Sequence, residues 1–342
     1  MTNTYCIVFI HLGDNPSINL ISNAKCVIAY NPNALLFLLT NRPLDWQSFP
    51  GKVIEVSDYQ VKMYSKFKTI FSFRDKFTVA GGYWIHTLTR LFCLEIMESL
   101  IPDNLSIYHI ESDVQFYMNQ KIHSEIAKSG LEAACCRLTE DLGIGTVLYF
   151  KNKYILMDKL SQLRNIVSAS KNWISDMQLL GIALNRNILA ELPSKCNDLK
   201  LRVDSRQFIF DPAPAGQYLF GQDPVLQDNN LYGGYLSPDR FFEFNKVKWK
   251  IENLFDDQYS YISIEDKRKY FLLNLHLHSK INIIPPSEKV KIWRETIDAA
   301  NRLIAFPLLM TDVKNQIHSN DGPLLGRIIR RLRNIYNRLV HK

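Results

Sequence analysis

Three short apolar runs set the framework of this chain. Tyr5–Gly13 (YCIVFIHLG), Ala34–Asn41 (ALLFLLTN) and Lys52–Asp58 (KVIEVSD) are rich in apolar and β-branched residues, and the first two end at Gly, Asn or Pro. Such runs read as strands buried on both faces. A helical stretch around residues 17–30 separates the first two. The β-α-β rhythm predicts a parallel, helix-covered sheet. Residues 83–100 read as a helix stopped by Pro102 and Asp103, and "LSIYHIES" after it reads as another strand.

The second half has a different texture. "LEAACCRL" and "GTVLYF" read as strands, and 154–168 and 172–190 as helices. Residues 206–224, "RQFIFDPAPAGQYLFGQDP", are punctuated by Gly and Pro and read as an ordered loop. "FLLNLHLHSKINII" returns to period-two alternation, the pattern of an edge strand.

With 342 residues, 46% of them hydrophobic and 12% aromatic, the chain can bury one large domain or two fused halves. A net charge of +7 fits an acidic ligand or an anionic surface and does not by itself argue for nucleic acid. The six cysteines are scattered through apolar segments without a C-x-x-C pair, which points to a reducing compartment and to no zinc site. The N-terminus reads as a strand, not a signal peptide, and no window is long and apolar enough to span a membrane. A soluble, cytoplasmic body is the expectation.

Glu111 and Asp113 stand at the carboxyl end of the strand in "YHIESDVQF". Acids at strand ends are often no more than solvated turns. In open α/β sheets, however, ligands bind outside the carboxyl ends of strands. Two carboxylates there suit Mg²⁺ or Mn²⁺ carrying a diphosphate. In "NLHLHSK", a strand would put His276, His278 and Lys280 on one face. Either histidine would complete a set for Mn²⁺, and Lys280 would meet a phosphate. The alternative is an edge strand with two surface histidines. No P-loop, no G-x-G-x-x-G fingerprint and no G-x-S-x-G elbow is present.

These segments, in this order, resemble a GT-A-type bacterial glycosyltransferase. "IVFIHLGDNPS" resembles its first strand and nucleotide loop. "RLFCLEIMESLIPDNLSIYHIESDVQF" resembles the helix and strand that deliver its DxD motif. "WISDMQLL" resembles an acidic acceptor-side segment, "IFDPAPAGQYLFGQDP" a stretch of some bacterial members, and "NLHLHSK" the C-terminal metal-histidine segment. The resemblance covers roughly residues 4 to 283 and implies a GT-A-like, Rossmann-like mixed α/β sheet flanked by helices. It implies nucleotide-sugar contacts from His11, Gly13, Asp14, Arg90, Glu111, Ser112, Asp113 and Lys280. Asp113 matches the last acid of DxD. Glu111 replaces the first and would reach metal or ribose. His278 or His276 would be the remaining ligand, with a lean to His278 for its closeness to Lys280. Asp176 and Asp211 would contact the acceptor or act as a base, and Gln217 and Tyr218 would line the acceptor pocket. The implied reaction moves a sugar from a UDP-sugar to a hydroxyl of a glycan or lipid-linked acceptor, with Mn²⁺ or Mg²⁺, and leaves open whether the anomeric configuration is retained or inverted. The alternative is a non-catalytic, degenerate transferase fold acting as a basic membrane- or nucleic-acid-binding protein.

The expected organisation is a catalytic domain over 1–300, with a nucleotide-binding half over 1–120 and an acceptor half over 121–300, and a basic helical tail over 301–342. At helical spacing, Leu324, Leu325, Ile328, Ile329, Leu332, Ile335, Tyr336, Leu339 and Val340 share one arc, with arginines around the rest and no acid after Asp321. Such a C-terminal amphipathic helix would dock on its own domain, lie on an anionic membrane as a peripheral anchor, or make an oligomer contact. Nucleic acid is not an expected partner.

Overall fold

The computed structural model describes residues 5–13, 20–59, 61–62, 83–170, 174–195, 200–216, 242, 247–255, 259–265 and 267–276. Asp14, Gln217, Tyr218, His278, Lys280 and the tail lie outside the described residues.

The body is the expected Rossmann-like mixed sheet flanked by helices. In chain order it begins with β1 (Tyr5–His11), α1 (Leu20–Tyr30), β2 (Leu35–Thr40) and β3 (Lys52–Glu55). Then come α2 (Tyr83–Cys93), β4 (Ser106–Ile110), β5 (Val114–Phe116), α3 (Gln120–Lys128), β6 (Ala133–Arg137) and β7 (Gly143–Phe150). Helices α4 (Lys153–Ala169) and α5 (Asp176–Asn185) precede β8 (Ala190–Glu191). The chain continues through β9 (Leu201–Val203), β10 (Arg206–Ile209), β11 (Lys248–Leu254), β12 (Tyr259–Glu265), β13 (Lys269–Leu272) and β14 (Asn274–His276).

Seven strands form the main sheet in the order β3-β2-β1-β4-β7-β6-β8. The β1 strand runs parallel to both β2 and β4, and β7 is antiparallel to β4 and β6. The continuous apolar runs follow from burial on both faces. Along β1, Tyr5, Ile7 and Phe9 enter one core, and Cys6, Val8 and Ile10 enter the other. The first core holds α1 through Leu20, Ala24 and Val27, together with the inner residues of a second, five-stranded sheet ordered β11-β12-β13-β10-β9. The other core is filled by α2, α4 and α5, through residues such as Leu88, Phe92, Leu160, Leu163 and Leu180. No helix among the described residues is long and apolar enough to cross a membrane.

Four local expectations change. The helix expected over 83–100 tightens at Cys93 into a 3₁₀ turn, Leu94–Ser99, ahead of Pro102. The helix expected over 172–190 spans only Asp176–Asn185 among the described residues. Ser175 and Gln178 close its start as a capping box, and Asn187 ends the segment with φ of 55°. Residues 206–209, expected in a loop, form β10. Asp204 and Ser205, at φ of 48° and 64°, make the tight turn that folds β9 onto β10, and β13 covers its other side. A Val-Asp-Ser-Arg turn lacks the glycine that signals such a hairpin. The alternating run also differs from an edge strand: Phe271–His276 is buried at every position and is broken at Leu273 between β13 and β14.

Cys6, Cys26, Cys93, Cys135 and Cys136 are buried. Burial pushes the thiols of Cys26 and Cys93 up to about 12, and raises those of Cys6, Cys135 and Cys136 as well. At pH 8 a thiol of pKa 12 is ionised to roughly one part in 10⁴, so it reacts slowly. These five should therefore resist a thiol reagent in the native protein, while all six cysteines react in denaturant. Fast native labelling of more than one thiol would contradict this packing.

Candidate metal centre

The strand order reverses around β1, whose neighbours β2 and β4 are entered by opposite crossovers. Such a reversal opens a cleft at the carboxyl ends of the strands. His11 and Gly13 lie at this end of β1. The Gly13 N–H donates to Asn41 Oδ1 at 3.1 Å, tying the exits of β1 and β2 together. The His11 ring packs edge-on against Trp46, with centroids 5.1 Å apart.

The neighbouring exit, from β4, carries Glu111, Ser112 and Asp113. Backbone bonds shape it: the Glu111 N–H donates to Thr146 O at 3.3 Å, and the Val114 N–H donates back to Glu111 O at 3.1 Å. The Asn23 side chain on α1 donates to Ser112 O at 2.8 Å. This turn leads directly into β5, which pairs antiparallel with β14 so that His276 stands opposite Val114. The ladder delivers the imidazole to the acids. His276 Nε2 lies 3.1 Å from Asp113 Oδ1 and 3.8 Å from Glu111 Oε2. One ligand atom from each of Glu111, Asp113 and His276 falls within 4.8 Å of the others.

Burial alone would push the His276 pKa down. The charge of Asp113 and its hydrogen bond, with further help from Glu111 and Asp211, lift it above the usual value instead. A proton on Nε2 would serve the acids, and a bound cation would take that proton's place. Two carboxylate oxygens and one imidazole nitrogen, with no thiolate, fit Mn²⁺ or Mg²⁺, and the nitrogen favours Mn²⁺.

Arg90, on α2, supports the acids from the other side. Its Nη2 donates to Glu111 Oε1, leaving Oε2 toward His276, and lies 3.8 Å from Asp176 Oδ2 at the start of α5. Burial raises the Asp176 pKa, against the Arg90 charge, and Glu111 adds to the rise. Arg90, Asp176, Thr87, His109 and Leu180 line a small cavity behind the cluster.

Asp211 is placed differently from a group that would meet an acceptor. Its carboxylate is buried and accepts the backbone N–H groups of Ala215 and Gly216, each at 3.0 Å. Burial nevertheless pushes its pKa up to about 6, with those hydrogen bonds and His276 opposing. The structure also brings in residues that sequence reasoning passed over: Asn23, Thr146 and Asn274. Asn274 carried the clearest signal, a lone amide inside the apolar run "FLLNLHL".

No family model matches the sequence, and no curated protein is significantly similar to it. Solved structures similar to the chain include glycosyltransferases of the GT-A type. The apo form of mouse xyloside xylosyltransferase 1 is 12% identical with a TM-score of 0.36, over 55% of this chain and 85% of that one. The glycosyltransferase GlyE of Streptococcus pneumoniae TIGR4 is 15% identical with a TM-score of 0.35, over 56% of this chain and 45% of that one. The galactosyltransferase LgtC, solved with donor and acceptor sugar analogs, is 12% identical with a TM-score of 0.37, over 68% of this chain and 84% of that one. At these scores the likeness adds nothing to the chemistry, which rests on the gathered ligand atoms.

His276→Ala should weaken Mn²⁺ binding by at least about tenfold, since loss of even an outer partner of a metal site costs about that much. His278→Ala, measured beside it by calorimetry, shows which imidazole matters. Parent-like Mn²⁺ affinity in a folded His276→Ala protein would remove His276 from the ligand set.

Proposed function

We propose that this protein is a divalent-cation-dependent glycosyltransferase that moves a sugar from a nucleoside-diphosphate sugar, a UDP-sugar by preference, to a hydroxyl of a glycan or lipid-linked acceptor. The observation that supports this most is the convergence of Glu111, Asp113 and His276 at the exit of β4, beside the strand-order reversal. Asp113 and His276 would hold Mn²⁺ or Mg²⁺, with Glu111 Oε2 facing the same point. A bound cation supplies positive charge to the departing diphosphate.

The protein's own groups do the rest. The exits of β1 and β2, held together through Gly13 and Asn41, form a wall for the nucleoside. Arg90 keeps Glu111 in place and offsets part of the carboxylate charge around it. Asp176 sits on the small cavity beside Arg90, burial raises its pKa, and its assigned role is to accept hydrogen bonds on the acceptor side. The test is a panel of nucleotide sugars screened for hydrolysis and transfer with and without Mn²⁺. Asp113→Asn should abolish Mn²⁺-dependent UDP binding while the protein still melts cooperatively. A folded parent that binds no UDP in the presence of Mn²⁺ would overturn the reading.

The basic tail gives this activity a location. We propose that the segment after Asp321 attaches a cytoplasmic enzyme peripherally to the inner face of the plasma membrane, near a lipid-linked acceptor of cell-surface polysaccharide or lipopolysaccharide synthesis. The support is the sequence pattern: an apolar arc at helical spacing beside arginines, without an acid. Apolar burial contributes about 25 cal/mol per Å², and each arginine near an anionic surface about 1 kcal/mol, screened by salt. Full-length protein should co-sediment with anionic vesicles, and a truncation ending at Asp321 should stay in the supernatant. Equal binding by both, or unfolding of the truncation, would count against membrane attachment.

A further inference from the structure

The segment Asp211–Gly216 packs against the backbone of His276, and hydrogen bonds fix it at both ends. The Asn274 side chain brackets the Asp211 backbone: Oδ1 accepts the Asp211 N–H at 2.9 Å, and Nδ2 donates to the Asp211 carbonyl at 2.7 Å. Asn274 is fully buried and stands two residues before His276. The Leu273 N–H donates to Ile209 O at 2.9 Å, so the two segments are pinned on both sides of this bracket. The Asp211 carboxylate then closes the turn by accepting from Ala215 and Gly216.

The turn ends against the backbone of His276. A Cβ on Gly216 would sit 1.9 Å from His276 O and 3.1 Å from His276 N, so only glycine fits without moving that strand. The other side of the turn reaches Glu111 through a single residue. Thr146 Oγ1 donates to Pro212 O at 2.6 Å, and Thr146 O accepts the Glu111 N–H.

We propose that the Asp211–Gly216 turn is a positioning element for the cation site, setting the separation of His276 from Glu111 through Gly216, Asn274 and Thr146. This rests on the cation-site reading given above. Asp211 is then a positioning residue that shapes the turn, and it takes no proton from the acceptor. Both of its oxygens are committed to backbone N–H groups of its own turn, and the charge-assisted bonds they make hold the turn closed.

The test uses the full chain and Mn²⁺ alone, followed by electron paramagnetic resonance, with a thermal melt of each variant. Asp211→Asn puts an amide N–H against a backbone N–H, and Gly216→Ala forces the His276 backbone away. Both should weaken Mn²⁺ binding about tenfold or more, the range seen for outer-shell changes at metal sites. Turnover should recover at saturating Mn²⁺. Thr146→Val removes one hydrogen bond at nearly constant volume and should weaken Mn²⁺ several-fold, which keeps the test open if either other variant fails to fold. Folded variants with parent Mn²⁺ affinity overturn the proposal. Unchanged affinity with lost turnover in Asp211→Asn also overturns it, and makes Asp211 a group that acts on substrate. If the parent binds no Mn²⁺, or Asp113→Asn binds it like the parent, the cation site itself fails, and the positioning role falls with it.

Discussion

The short ladder between β5 and β14 is the interaction on which the candidate site depends. Three residue pairs, Asn274 with Phe116, Leu275 with Gln115 and His276 with Val114, join segments far apart in the chain. Closing so long a loop costs entropy that three pairs cannot repay alone. The cost is met by burial: Phe116, Leu275 and Val114 are fully buried in the core shared by the main sheet and the second sheet. The second sheet therefore has a direct part in the site. It carries the chain through β13, and the break at Leu273 turns the following residues toward β5.

Charge is the second constraint. Glu111, Asp113 and Asp176 crowd a partly buried space, and like carboxylates so placed raise one another's energy. Arg90 lies between two of them and His276 meets the third. The charge of Asp113 and its hydrogen bond, with Glu111 and Asp211, raise the His276 pKa against burial and favour its protonated form. A dication that displaced this proton would meet the same acids at full charge. The network thus gathers two carboxylates and an imidazole that could hold a cation in place of that proton.

Much of the scaffold was legible in the sequence because local pattern and tertiary environment agree there. The strands β1, β2, β4 and β7 are buried on both faces, so they appear as predominantly apolar runs. The places where reading failed share a cause. β10 is a strand because β9 and β13 flank it, and nothing in Arg206–Ile209 itself demands that. The run Phe271–His276 alternates in letters but not in environment, since its polar members Asn274 and His276 are buried by partners in other segments.

The amino-acid sequence already places two acids at the end of a buried strand, β4, because strand burial and a polar exit are local properties written in consecutive residues. It also supplied two histidines in one short segment without distinguishing their surroundings. The meeting of His276 with Asp113 at hydrogen-bond distance, the reach of Arg90 to Glu111, and the turn closed by both Asp211 oxygens come from the three-dimensional arrangement. Those facts depend on which distant strands pair and on how closely Gly216 approaches the His276 backbone, and no local pattern encodes a contact between residues so far apart.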